Sequence, residues 1–329
     1  MLDIVDSFKY LGVVFKFNGK FDLCKERLLN LGKKAMFNVI IKCRKFNLPV
    51  DLQLDLFDKM VIPILIYGCE VWGSENTDII EKLHLKFCKM ILNVKNGTPN
   101  VMIYGELGRY PLYIEVYTRM IKYWAKINTS YDNKLVLKMY RFCKFINEDI
   151  NWCTKVKEIL FMCGFYDIWN NDVPVNPDWI SLSVNQKLKD LYLSEWRLTV
   201  DSSSKCYLYR IFKTEISFEN YLLLNWNLRK QLCKLRTVNH KLPVETGRYR
   251  NIPRNQRFCT LCNENILCDE FHIIFKCKKL VELRKKFLPH CILNQSNISV
   301  LRLKNVFQCS NKNLINLALF AKHSLKLFK

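Results

Sequence analysis

The feature that most restricts this chain is Cys259-Thr260-Leu261-Cys262, followed after nine intervening residues by His272 and after four more by Cys277. Among so many cysteines one C-x2-C is expected by chance at ~0.7 copies, but requiring H-x4-C shortly afterwards lowers that expectation to ~0.01. Three thiolates and one imidazole form a closed tetrahedral donor set for Zn²⁺, and a two-residue spacer lets both sulfurs of one turn face the same ion. No coordination position stays open, so the expected role of zinc is structural. Asp269-Glu270 places acids at the start of a short helix carrying His272. On an unbroken α-helix His272 and Cys277 would lie ~140° apart. The helix is therefore predicted to loosen or end before Cys277. Cys268 is the rival ligand to Cys262, and the tight spacing favours Cys262.

The surroundings of this knuckle are basic. Lys+Arg number 52 against 30 Asp+Glu, a net charge of +22. Such a surplus self-repels in the compact state and points to a polyanionic partner, nucleic acid first. The densest stretch leads into the knuckle: Arg229, Lys230, Lys234, Arg236, Lys241, Arg248, Arg250, Arg254 and Arg257 are opposed only by Glu245, with Trp226, His240 and Tyr249 interleaved. Arginine binds phosphate bidentately and aromatic planes stack on unpaired bases, so RNA or single-stranded DNA is the implied ligand. Arg248, Arg250, Arg254 and Arg257 are the candidate contacts, whereas Arg236 and His240 are candidates for internal pairing. The alternative is a zinc-stabilised helical protein-interaction module without a nucleic-acid role, in which the aromatic strings are only core.

Fold class is read as mainly α: a helical bundle with a short N-terminal β-hairpin and a small C-terminal CCHC knuckle. Phe8 to Lys20 is aromatic and β-branched, with Gly12 inside and Asn18-Gly19 at its end, and reads as one or two short strands closed by a tight turn. A lone hairpin is marginal in water, so the reading expects a sheet to which it belongs. From Phe21 the pattern is helical. Leu28, Leu31, Ala35, Val39, Cys43 and Phe46 form an apolar stripe ending near Asn47-Leu48-Pro49. Opposite it, Lys33 and Arg44, and likewise Lys34 and Lys45, are eleven residues apart, within ~20° of azimuth and ~16 Å along the axis, a spacing that can track phosphates.

Further helices are predicted near 50–68, 77–94, 111–128, 133–148, 152–164 and 183–200, with a strand-like Tyr207–Phe212 and a basic amphipathic helix over Leu314–Lys329. Trp169–Asp178, punctuated by Pro174 and Pro177, reads as the linker between domains. The linear division is 1–20 hairpin, 21–130 helical domain, 131–216 connector, 217–290 basic segment with knuckle, and 291–329 basic tail. Fifteen cysteines scattered through apolar stretches read as buried free thiols, implying a reducing interior, with nucleus and cytoplasm not distinguished. The acidic N-terminus does not read as a secretory signal. Val61–Trp72, broken by Pro63, Gly68 and Glu70, is too short for the ~20 residues that cross a bilayer. No membrane role is expected.

Several strings in order resemble the C-terminal part of the reverse transcriptase of non-LTR (LINE-type) retrotransposons, over most of residues 8–126 and 226–285. Phe8-Lys9-Tyr10-Leu11-Gly12-Val13 looks like the hairpin that forms the primer grip. Pro63-Ile64-Leu65-Ile66-Tyr67-Gly68-Cys69-Glu70-Val71-Trp72-Gly73 and Tyr104-Gly105-Glu106-Leu107-Gly108-Arg109-Tyr110-Pro111-Leu112, then Arg119 and Tyr123-Trp124, look like the helical thumb and the segment after it. Glu245-Thr246-Gly247-Arg248-Tyr249 leading into Cys259, Cys262, Asp269-Glu270-Phe271-His272 and Cys277 is similar to the family's zinc knuckle. The resemblance implies primer-grip-like roles for Tyr10, Leu11 and Gly12, a parent activity of RNA-directed DNA polymerase, and an RNA–DNA primer-template as a further partner. It also implies an aspartate pair holding catalytic metal ions upstream of the hairpin. This chain contains no Asp-Asp. It is therefore expected to bind nucleic acid without polymerase or nuclease activity of its own.

Overall fold

The computed structural model describes residues 5–129, 134–146, 152–289, 302–307 and 310–328. Residues 133, 147–148 and 329, at the ends of two predicted helices, lie outside them. The described residues are mainly helical, with a two-stranded antiparallel N-terminal hairpin. Among them no helix is long and apolar enough to cross a membrane. Two compact units interleave along the chain, Met1–Leu85 with Tyr110–Ser194 and Lys86–Arg109 with Glu195–Lys329, whereas the sequence reading divided it linearly.

In the first unit, β1 (Ser7–Tyr10) pairs with β2 (Val13–Lys16) in the register Tyr10↔Val13. Leu11 and Gly12 are thus a two-residue loop, and their φ values of 45° and 88° suit the mirror-image turn that follows strand twist. The hairpin closes here, not at Asn18-Gly19. No further strand flanks it among the described residues; instead a helix and a turn hold it, with Arg27 donating to Gly12 O at 2.8 Å and the hydroxyl of Tyr67, in the turn after Ile62–Leu65, to Leu11 O at 2.8 Å.

Helix α1 runs over Asp22–Lys45 and buries Cys24, Leu28, Gly32, Met36, Val39 and Cys43. Leu31 and Phe46, assigned to the apolar stripe from sequence, are exposed. The true stripe passes through Gly32, where any Cβ would meet the Leu65 side chain. Trp72 and Trp124 are fully buried. Trp124 donates to the Tyr140 hydroxyl at 3.0 Å and lies 6.2 Å, between ring centroids, from Trp169. That contact makes Trp169 core, although the sequence placed it in a linker; a short helix, Tyr166–Asn170, carries it.

The second unit is organised by the helix Asn100–Leu107, which is buried from Met102 to Leu107. Gly105 lacks the Cβ that would strike the rings of Trp196 and Tyr209, and Trp196 Nε1 donates to Val101 O at 2.7 Å. Tyr207–Phe212 is not a strand. Tyr209–Phe212 forms a helical turn that buries both aromatic rings, an i, i+3 pair in edge-to-face contact at 5.4 Å. The helix Trp226–Arg236, capped by Asn225 Oδ1 accepting from Leu228 N, packs along the C-terminal helix Asn311–Ser324.

Candidate metal centre and basic surface

An isolated bridge between Phe258 and Leu267 ties the knuckle loop at its base, with Cys259 N donating to Ile266 O and Cys268 N to Arg257 O, both at 2.9 Å. Asn263 and Asn265 take positive φ near the tip, a conformation asparagine tolerates better than most residues. Asp269 Oδ1 then accepts from His272 N at 2.9 Å and starts the helix, as its sequence position predicts. From His272 to Lys276 the helix widens to an i→i+5 turn, closed by Cys277 N donating to His272 O at 2.8 Å, and Cys277 leaves the helical region. The widening brings residues five apart toward one face. His272 and Cys277 can therefore converge.

The ligand atoms of Cys259, Cys262, His272 and Cys277 all lie within 4.8 Å of one another, so the cluster could hold a metal ion. Cys262 Sγ is 3.6 Å from His272 Nε2, and Cys259 Sγ is 4.0 Å from Cys277 Sγ. A tetrahedron with zinc–sulfur bonds of about 2.3 Å and zinc–nitrogen bonds of about 2.0 Å has edges of roughly 3.8 and 3.5 Å. Cys268 is outside the quartet, its backbone held by Val244 and Arg257.

Burial pushes the Cys259 thiol up, but the Cys262 and Leu261 amides pull it below its usual value. Cys277 is raised to about 12, chiefly by burial, with the neighbouring Cys259 adding to the rise against the opposing Lys279 amide. Two thiols this close do not both ionise readily until a cation joins them. Burial, then the Arg284 charge, hold His272 below its ordinary value and so keep its ring neutral, the form that ligates. Its Nδ1 is buried without a hydrogen-bond partner, so packing must orient the ring. Arg284 is buried and donates to Cys277 O at 2.7 Å.

The predicted basic contacts fall into two groups. Lys33, Lys34, Arg44 and Lys45 are exposed on α1, and no carboxylate pairs with them among the described residues. Arg250 is exposed likewise. Arg248, Arg254 and Arg257 are half-buried and partly engaged: Arg248 with Glu245 at 3.3 Å, Arg254 with Asp269 at 3.7 Å and over the Tyr207 ring at 4.4 Å, Arg257 with Ile252 O and Val244 O at 2.9 and 2.7 Å. Gly247 permits that last arrangement, since a Cβ there would lie 2.7 Å from the Arg257 side chain. Arg257 is thus a brace for the knuckle. Tyr10, Leu11 and Gly12 sit at the hairpin turn, with Tyr10 and Leu11 exposed.

Sequence reading expected Arg236 and His240 to pair internally, and they do. His240 Nε2 lies 2.7 Å from Glu270 Oε1, both buried, beside the helix that carries His272. Arg236 donates to both oxygens of Glu106 at 2.7 and 3.0 Å and meets Glu219 at 2.9 Å. Tyr221 adds a hydrogen bond to Glu106 at 2.7 Å, and Lys213 pairs with Glu219. Sequence reasoning missed this network. Glu106 was its only local signal, a lone acid in an otherwise uncharged run from Val101 to Gly108.

Comparison with protein-family models, curated proteins and solved structures finds no match.

Proposed function

We propose that the chain is the thumb and zinc-knuckle part of a non-LTR-type reverse transcriptase, which binds RNA or single-stranded DNA and does not itself polymerise. The observation that carries this reading is the set Lys33, Lys34, Arg44 and Lys45, exposed along one helix without carboxylate partners among the described residues, in a chain of net charge +22. The ordered strings that resemble the family support it, and the lack of any Asp-Asp supports its non-catalytic half.

Zinc fits the cluster on chemistry as well as distance. Three thiolates and a divalent cation sum to one negative charge, which offsets the buried guanidinium of Arg284 beside Cys277 O. Cys259, Cys262, His272 and Cys277 would hold the ion, which supplies folding free energy in place of a larger core.

Binding of a fluorescein-labelled oligouridine, followed by anisotropy across a salt series, tests the reading. The log affinity should fall linearly with log salt, by about 0.7 per phosphate neutralised on a single strand. Charge reversal at Lys33, Lys34, Arg44 and Lys45 together should shrink that slope. Binding that ignores salt, or no binding, refutes the proposal; primer extension by the chain alone refutes its non-catalytic half.

A further inference from the structure

The second unit contains a cavity of about 680 Å³ whose lining includes Lys95, Lys230, Lys234, Lys241, Lys322 and Lys326 and, among the described residues, no carboxylate. The lysines come from three places in the chain: the segment after helix Asp78–Leu92, the helix Trp226–Arg236 with the residues following it, and the end of the C-terminal helix. None of the six has a carboxylate within ion-pair distance among the described residues. Burial, then the charges of Lys230, Lys241 and Lys95, hold Lys234 below its ordinary value. Convergent ammonium groups without counter-charge repel one another, and a concave site of one sign concentrates anions. The volume exceeds what a single phosphate needs.

Two aromatic rings touched by these lysines narrow the ligand further. Lys230 Nζ lies 5.8 Å from the centre of the Trp226 ring and Lys95 Nζ lies 5.9 Å from that of Tyr249. Both rings are well exposed, Trp226 at 42% and Tyr249 at 68%. The Trp226 ring also carries the Arg229 guanidinium at 5.1 Å, and ammonium groups in a hollow with exposed aromatic rings beside them match a chain of phosphates carrying unpaired bases.

We infer that this lysine-lined cavity seats successive phosphates of a single-stranded nucleic acid whose bases stack on Trp226 and Tyr249. The inference rests on the nucleic-acid reading above and assigns to it residues outside the set named there. Lysine suits the task as a compact point charge that need not match one phosphate orientation.

The same anisotropy series, run with Lys230→Ala/Lys234→Ala/Lys241→Ala and with Trp226→Ala, tests it. The triple variant should lose about two from the magnitude of the salt slope, at roughly 0.7 for each lysine. Trp226→Ala should weaken binding about ten-fold with the slope unchanged, because stacking carries no counterion release. Lys234→Gln alone, the gentler change, should lower the slope by about 0.7. Thermal melting in tripolyphosphate provides a readout independent of RNA: the midpoint of the unaltered protein should rise and that of the triple variant should not. Unaltered slopes in variants of a protein that binds RNA overturn the cavity assignment and leave the nucleic-acid reading standing. A tripolyphosphate response with unaltered slopes makes the cavity a small-polyphosphate site and also overturns it. Absence of RNA binding by the unaltered protein overturns both.

Discussion

Replacing Arg236 by methionine would remove the guanidinium from the most deeply buried charge cluster described above. Glu106 is 0% and Arg236 2% exposed, with two hydrogen bonds of 2.7 and 3.0 Å between them. Glu219 would keep Lys213 in contact, whereas Glu106 would keep the Tyr221 and Tyr209 hydroxyls and only the through-space charge of Lys213. Deleting one partner of a buried pair costs about 3–5 kcal/mol, since the remaining charge stays desolvated. At roughly 1–2 °C per kcal/mol for a chain of 329 residues, the melting midpoint should drop by roughly 3–10 °C. Urea unfolding followed by tryptophan fluorescence measures the loss. The double variant R236M/E106Q should be more stable than R236M, because the uncompensated carboxylate is gone. A single variant within about 1 kcal/mol of the parent, or strict additivity in the pair, would refute the reasoning.

Three further outcomes are expected. In the unaltered protein burial raises the Glu106 carboxyl, yet Arg236 pulls it below its ordinary 4.5; its stabilisation is thus present above that value and lost as pH falls through the lower folded one, so urea midpoints should decline below about pH 4.5. In R236M the sign reverses, and mild acid should partly restore stability by protonating Glu106. Elemental analysis should find one zinc per chain, lost in Cys262→Ala and kept in Cys268→Ala, with chelation lowering the melting midpoint. Gly105→Ala should cost about 1–3 kcal/mol in urea unfolding, because its Cβ would press on the rings of Trp196 and Tyr209.

Local patterns were legible in the sequence wherever one short segment determines the outcome. The widened turn before Cys277 followed from angular arithmetic on two ligands, and the choice of Cys262 over Cys268 from loop length. Most of the longer helices followed from apolar spacing, though Asn100–Leu107 and Trp226–Arg236 were not predicted, and the spacing did not give which side faced the core: Leu31 and Phe46 were assigned inward, while Gly32, with no side chain to signal it, sits at the closest approach to Leu65. Tyr207–Phe212 had strand-like composition, and tertiary burial of Tyr209 and Phe212 on one helical turn overrode it. The Glu106–Arg236 pair and the full lysine cavity were missed for a different reason. Glu106 and Arg236 are 130 residues apart, and although Lys230, Lys234 and Lys241 stood together in the basic stretch, only the fold brings Lys95, Lys322 and Lys326 to them.

The i→i+5 turn at His272 sets different tolerances on the two arms of the knuckle. Its closing hydrogen bond joins the residues that supply the third and fourth ligands, so ring size and ligand spacing are one quantity. Removing a residue between them would shrink the ring to that of an ordinary α-turn and swing a thiolate off the ion by about 100°. An extra residue near Asn263–Asn265 would only lengthen a loop, at a cost well under 1 kcal/mol. Length changes in the knuckle should therefore be accommodated at the loop tip and rejected at the helix.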